Sequence, residues 1–372
     1  MSKPKVLITG AKGFVGKNLV ARLEADGYGV LPFDVDTDPN LLYGYCAECG
    51  FVFHLAGVNR PQNPAEFMEG NFDFTARLVD SLKRVGKAVT VAVSSSIQAE
   101  KDNEYGKSKK AGEEVVLNYG KATGAKVYIY RLPNVFGKWC RPNYNSAVAT
   151  FCHNIVRGLP IRIDNREAEV TLVYIDDVID EFLKALQGKV KTKKGFAEVD
   201  KVYRTTVGYL ADTIGSFAQS RRNLFLPLQT FGSLEKKLYA TYTSYLPKDG
   251  FKYTLQSHTD NRGSFTEFVK TAEYGQVSIN ISKSGITKGN HWHHTKNEKF
   301  LVVSGRGVIR FRKVDEEEII ECYVSGDKLE AVDIPCGYTH NIENLGDSDM
   351  ITVMWASEVF DKDNPDTVYL EV

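Results

Sequence analysis

The chain carries no excess of either charge: Lys plus Arg and Asp plus Glu stand at 47 each in 372 residues, a formal net charge of +0. Without such a field a protein does not hold a nucleic-acid duplex or an anionic membrane surface by charge alone, so neither is expected as a partner. Also missing is any apolar run of the roughly 18 residues that span a bilayer. Met1 to Gly16 lacks the basic-then-apolar-then-small order of a secretory signal. A cytoplasmic setting is therefore expected. Cysteine is scarce, and the six present (Cys46, Cys49, Cys140, Cys152, Cys322, Cys336) make no disulfide framework in so long a chain. The Cys46-x-x-Cys49 pair has neither further zinc ligands close in sequence nor a thioredoxin-like unit around it, so reduced, packed cysteines are expected. Internal repeats and low-complexity tracts are absent. What remains is an ordinary globular composition, 42% hydrophobic, 25% charged and 11% aromatic, at a length that favours two domains.

Up to about residue 243, short β-branched runs (Lys5–Thr9, Gly29–Asp34, Phe51–Leu55, Ala88–Ser94, Val127–Leu132) alternate with amphipathic stretches. That rhythm predicts right-handed crossovers and a parallel sheet covered on both faces, a doubly wound α/β domain of Rossmann type. Helices near Tyr174–Leu186, Thr206–Ser220 and Leu234–Tyr245 complete it. After Pro247-Lys-Asp-Gly250 the texture changes to short alternating segments such as Val277–Ile281, Phe300–Val303 and Val308–Phe311, which predict an all-β sandwich or barrel. The expected division is 1–243, a linker at 244–252, and 253–372.

Thr9-Gly-Ala-Lys-Gly-Phe-Val-Gly16 follows the first strand and opens the first helix. Gly10, Gly13 and Gly16 in that context allow a tight turn and close approach of backbone to a pyrophosphate facing the helix N-terminus. Asp34, ending the second strand, suits the ribose hydroxyls of NAD; the Lys12 ammonium suits the 2′-phosphate of NADP, and the residues alone leave that choice open. Tyr105-Gly-Lys-Ser-Lys109 sets a phenol and an ammonium on one helical face, where the ammonium is expected to lower the phenol's pKa for general acid or base work on a carbonyl. The serines Ser94, Ser95 and Ser96 end the preceding strand, within reach of the same oxygen.

Together these residues resemble the extended short-chain dehydrogenase/reductase family over roughly residues 1 to 243. The matching stretches are Thr9–Gly16, His54-Leu55-Ala56, Asn71 to Thr75, the serine run, Tyr105 with Lys109, Arg131 to Gly137 and Leu172 to Val178. The resemblance implies that Tyr105 donates the proton, Lys109 binds nicotinamide ribose, Ser96 or Ser95 orients the carbonyl, and Asn134 touches a sugar nucleotide. It implies a cofactor bed of Gly10, Lys12, Gly13, Phe14, Val15, Gly16, Asp34, Leu55 and Ala56. The short Ser96-to-Tyr105 connection departs from the family pattern and leaves the catalytic serine open.

Four of the seven histidines fall between 291 and 340. On a strand, His291 and His293 point to one face; with Glu298 and His340 a closed sheet gathers three imidazoles and a carboxylate around a borderline-soft cation such as Zn2+. His294 falls on the opposite face. The spacings Gly285-x5-His291-x-His293-x4-Glu298-x6-Gly305 and Pro335-x-Gly337-x2-His340-x3-Asn344 resemble the two cupin motifs, which implies a jelly-roll barrel. Asp260 to Glu267 and Gly285 to His291 resemble the deoxysugar 3,5-epimerase cupins. There the histidine matching His291 is a carbon-acid base and no metal is bound. One nitrogen cannot hold a cation and abstract a proton, so with zinc present catalysis uses polarisation of the keto oxygen or another base near Arg262, Glu267 or Lys288.

The pairing of the two halves resembles the CapF-type bifunctional enzymes of capsular polysaccharide synthesis. This implies a UDP-2-acetamido-2,6-dideoxy-4-ketohexose, epimerised at C3 by the cupin and reduced at C4 toward UDP-N-acetyl-L-fucosamine. It implies NADPH, with NADH not excluded, and a homodimer. Two other readings stay open: a reductase whose cupin is a metal-stabilised dimerisation scaffold, and a cofactor-binding module without turnover, against which Tyr105 and Lys109 argue.

Overall fold

The computed structural model describes residues 3–227, 232–363 and 365–372. The chain forms two compact units, Met1–Gly215 with Gly232–Pro247 and Ser216–Phe231 with Lys248–Val372. The stretch 216–231, expected in the first domain, thus goes with the second unit. Backbone bonds explain it: Leu226 N–H donates to Lys270 O and Lys270 N–H to Leu224 O, each at 2.8 Å. No local sequence pattern announces such a pairing.

The first unit runs β1 (Val6–Thr9), α1 (Phe14–Ala25), β2 (Val30–Phe33), α2 (Leu41–Glu48), β3 (Phe51–His54), α3 (Ala65–Met68), α4 (Phe74–Val85), β4 (Thr90–Ser96), α5 (Glu104–Thr123), β5 (Val127–Leu132), β6 (Asn134–Phe136), α6 (Ala147–Ile155), β7 (Glu169–Tyr174), α7 (Ile175–Leu186), β8 (Thr192–Lys193), β9 (Phe196–Ala197) and β10 (Tyr203–Thr206). Helix α8 (Val207–Phe217) follows, then α9 (Ser220–Asn223), which goes with the second unit, and α10 (Leu234–Ser244), so the expected linker begins with the last residue of a helix. The main sheet has the order β2-β1-β3-β4-β5-β9-β8, and β1 to β5 pair in parallel. Strands buried on both faces need continuous apolar runs. Leu7 and Val52 pack with Leu78 and Tyr119 on one face, Ile8 and Phe53 with Ile179 and Phe182 on the other. The strand order changes direction between β1 and β3, and a crevice at such a switch point opens at the strands' carboxyl ends, here Thr9 and His54.

The second unit contains β11 (Ser257–Asp260), β12 (Gly263–Thr271), β13 (Gly275–Ser282), β14 (Thr287–Trp292), β15 (Glu298–Ser304), β16 (Arg306–Lys313), β17 (Ile319–Ser325), β18 (Ala331–Ile334), β19 (Tyr338–Asn344), β20 (Met350–Ala356) and β21 (Val368–Tyr369). Two antiparallel sheets, β11-β12-β13-β20-β15-β18 and β17-β16-β19-β14-β21, make the expected jelly roll. Phe300, Val302, Ile309, Phe311, Ile342 and Met350 form its core.

Candidate functional site

The glycine turn joins β1 to α1. Gly10 has φ +70, and a Cβ on it would lie 2.7 Å from Ala56 N; one on Gly16 would lie 2.0 Å from Gly10 O. Only hydrogen fits at either place, which draws the 55–56 backbone and the first turn of α1 against the loop. Phe14 and Val15 begin that helix, whose first turn has no acidic residue and whose N-cap, Gly13, offers no side chain to its N–H groups. The bare N–H groups and the positive helix end suit an anion. Asp34 accepts the Lys12 backbone N–H at 2.7 Å and that of Val35 at 2.8 Å. The Lys12 ammonium is bonded to Asp36. The cation that argues for a 2′-phosphate therefore already has a carboxylate partner.

Beside this turn a buried polar chain links β3 to α5. Thr75 Oγ1 donates to Asn71 O (2.6 Å) and lies 2.8 Å from His54 Nε2, so Nε2 carries the ring proton. Thr9 Oγ1, 2.7 Å from Nδ1, donates to the other nitrogen. Burial then pushes the His54 pKa down to about 3. Asn71 sits in a π-helical turn, Glu69–Asp73, and donates to Ser108 Oγ (3.0 Å), which donates to Tyr105 O (2.8 Å). The matched His-Leu-Ala and Asn-x-x-x-Thr stretches thus fix the first turn of α5, where Tyr105 stands.

Tyr105 and Lys109 both face the end of β4. Burial pushes the Tyr105 phenol up, and the nearby Ser96 hydroxyl offsets part of it. This corrects the expectation that Lys109 lowers the phenol: burial sets the direction. The Lys109 ammonium is itself pushed down to about 8 by burial, and it donates to Ser94 O at 2.9 Å. Among the three serines, Ser96 lies nearest the phenol and accepts from Gln98 N–H at 3.1 Å, Ser95 Oγ donates to Glu113 at 2.5 Å, and Ser94 offers its carbonyl. Asn134 is exposed on β6 and donates to Thr171 O at 3.3 Å.

Sequence reasoning left Glu113 and Arg131 without a role. Glu113 is 3% exposed and receives Arg131 Nε (2.9 Å) and Nη2 (2.6 Å), while Nη1 reaches Glu100 (2.8 Å). The fork ties β5 to α5 and, through Ser95, to β4. An Arg beside the Leu-Pro that ends a strand was the available signal.

In the second unit β14 and β19 are neighbours in one sheet and β15 lies in the other. A bulge between Gly289 and His291 aims β14, with Asn290 at φ +61. The ligating atoms of His291, His293, Glu298 and His340 lie within 4.8 Å of one another. Glu298 Oε2 is 3.3 Å from His293 Nε2 and 3.6 Å from His340 Nε2. His340 is 1% exposed and neither ring nitrogen has a hydrogen-bond partner. Burial, then the neighbouring imidazoles, push His291 down to about 4. Burial would push Glu298 up, yet the neighbouring His293 and His340 imidazoles hold it well below the usual carboxylate range. Three imidazoles around one carboxylate, one of them with orphaned nitrogens, fit a divalent cation. His294 turns away and meets Trp292 edge-to-face, ring centroids 4.3 Å apart.

A cavity of about 350 Å³ opens beside His291 and His340, lined also by His258, Asp260, Arg262 and Lys288. Lys288, lowered by burial, donates to Asn280 Oδ1 and Ile281 O, both at 2.8 Å. Arg262 is bonded to Asp260 at 2.7 Å. Glu267, expected with them, is not among the cavity residues and pairs with Lys270 at 2.9 Å. His258, which the sequence did not single out, lines the cavity.

The arrangement defines a nicotinamide-nucleotide enzyme fused to a jelly roll. Residues 6–197 match the NAD dependent epimerase/dehydratase family, and residues 258–368 match the polysaccharide biosynthesis C-terminal domain. The chain belongs to the NAD dependent epimerase/dehydratase family and is an oxidoreductase. It is 48% identical over 364 residues to a UDP-2-acetamido-2,6-beta-L-arabino-hexul-4-ose reductase of Pseudomonas aeruginosa, covering 98% of this chain and 97% of that protein. It is similar along its whole length to the capsular polysaccharide assembling protein CapF of Staphylococcus aureus, with a TM-score of 0.93, 53% identity, and 99% and 100% of the two chains covered. The resemblance to CapF-type enzymes therefore holds. Against the Thermus thermophilus UDP-glucose 4-epimerase solved with NAD, 18% identical over 65% of this chain and 98% of that one, the TM-score of 0.53 shows a shared fold.

Proposed function

We propose that the chain reduces the C4 ketone of a UDP-2-acetamido-2,6-dideoxy-4-ketohexose at the first site and inverts C3 of the same sugar at the second, on the way to UDP-N-acetyl-L-fucosamine. The glycine turn would hold the pyrophosphate of a reduced nicotinamide cofactor, which would supply the hydride. Tyr105 gives its phenolic proton to O4, Ser96 donates to the same oxygen, and the Lys109 charge steadies the phenolate left behind. The observation that carries this half is the placement of Tyr105 beside Ser96, with Lys109 one helical turn on and bonded to Ser94 O. Asn134 is assigned to the sugar nucleotide. NADPH is the proposed cofactor, from the family resemblance and against the pairing of Lys12 with Asp36.

A C–H bond next to a ketone is acidified, so inversion at C3 proceeds through an enolate. A zinc ion held by His291, His293, Glu298 and His340 supplies Lewis-acid stabilisation of such charge. Arg262 and Lys288 bring fixed positive charge to the same cavity. Four protein ligands close a zinc site, which favours the second reading, a structural metal under a pure reductase. The homodimer and the cytoplasmic setting belong to the family reading; among the described residues no helix is long and apolar enough to cross a membrane.

Incubation of the full chain with the UDP-4-ketosugar and NADPH in deuterated water, read by NMR, tests the proposal. Deuterium at C3 and an alcohol at C4 are expected. Reduction without deuterium at C3 leaves the scaffold reading; no reduction overturns the proposal.

A further inference from the structure

The last segment of the chain returns along β14. Tyr369 pairs with His291 and Val368 with Trp292, and Leu370 N–H donates to Asn290 O at 3.0 Å. Just before this pairing, Asp366 sits on the loop that leads from His293 to Glu298. Its carboxylate accepts the backbone N–H of His294 (2.8 Å), Thr295 (2.7 Å) and Lys296 (2.8 Å), and the Thr295 hydroxyl (3.0 Å). Its own carbonyl accepts from His293 Nδ1 at 2.5 Å. Lys296 Nζ adds a bond to Thr367 Oγ1 at 3.1 Å.

These bonds do two things at once. The carbonyl requires a proton on His293 Nδ1, which leaves the Nε2 lone pair directed at the cluster, 3.3 Å from Glu298 Oε2. The carboxylate anchors the residue that owns that carbonyl to the loop between two of the four ligands. A free loop would let His293 and Glu298 drift apart; the clamp holds it from His293 to Lys296.

We propose that Asp366 is a positioning residue for the cation site: its carboxylate fixes the loop and its carbonyl fixes the tautomer and aim of His293. This rests on the reading of His291, His293, Glu298 and His340 as cation ligands. Partners that orient a ligating histidine tune affinity about 10- to 100-fold.

The test titrates zinc into chelator-stripped full-length wild type, Asp366→Ala and Asp366→Asn in competition with a chromophoric chelator, with melting curves in the presence and absence of zinc. Wild type is expected to bind about one zinc per chain. Asp366→Ala is expected to weaken it by about 10- to 100-fold and to shrink the rise in melting temperature that zinc produces. Asp366→Asn, which keeps one acceptor oxygen, falls between. Equal melting losses with and without zinc and unchanged affinity mean a clamp for the fold alone, and overturn the proposal. Should Asp366→Ala not fold, unchanged zinc affinity in Asp366→Asn overturns it equally. If wild type binds no zinc, the ligand reading itself fails, a result separate from normal binding that Asp366 variants leave untouched.

Discussion

Beneath Tyr105 the buried polar groups answer one another: Thr9, His54, Thr75, Asn71 and Ser108 form a continuous hydrogen-bonded run, and Arg131 forks onto Glu113. Around Glu298 three imidazoles converge on one carboxylate, and both nitrogens of His340 are without partners. Burying an unpartnered polar group costs free energy, so the two sites are fixed differently. The first is positioned by bonds that belong to the fold. The second gathers donors that a bound cation would satisfy.

Removing the phenol should separate the sites most sharply. Tyr105→Phe keeps the ring contact with Phe67, at 5.6 Å, and loses the proton donor. NADPH oxidation, followed by absorbance, is expected to fall by about 10²- to 10⁴-fold. An unimpaired rate contradicts its role.

How much of this was legible depended on the range of the contacts. The glycine turn, Tyr105 with Lys109 and the four candidate cation ligands announce themselves by local spacing, because strand and helix periods fix which side chains share a face. Glu113, Asp366 and the pairing of Leu224 and Leu226 with Lys270 did not, since each acts on a partner distant in sequence. The direction of the Tyr105 shift was also misread. Spacing reports that an ammonium is near, while burial depends on how the whole unit packs.

The hydrogen-bonded construction of the first site gives the next prediction. Arg131→Ala strands a nearly buried Glu113 and is expected to cost about 3–5 kcal/mol in urea unfolding. Lys299→Ala, in an exposed pair with Asp333 in the second unit, is expected to cost no more than about 1 kcal/mol. Similar losses in the two would mean that the Arg131 fork is not what holds the site.

Gly16→Ala sets a methyl against Gly10 O, and its expected cost is about 1–3 kcal/mol with weakened nucleotide binding. Calorimetric titration with NADPH reads the second effect; wild-type affinity would show that the turn relaxes freely.

The effect that is smallest near neutral pH, and grows only in acid, belongs to His54. His54 is pushed from 6.5 down to about 3, so across that window the unfolded chain takes up a proton that the folded chain does not. Stability present above pH 6.5 is lost as pH falls toward 3, with a slope of at most about 1.4 kcal/mol per pH unit from this group. Denaturant unfolding of His54→Gln at several pH values should show a flatter loss; an identical slope would remove His54 from the account.

The central claim, two chemically separate sites on one chain, is tested most directly by C3 deuterium exchange of the UDP-4-ketosugar without NADPH, measured for wild type, Tyr105→Phe and His340→Ala. The account predicts exchange in the first two and its loss in the third. Loss in Tyr105→Phe with retention in His340→Ala would contradict it.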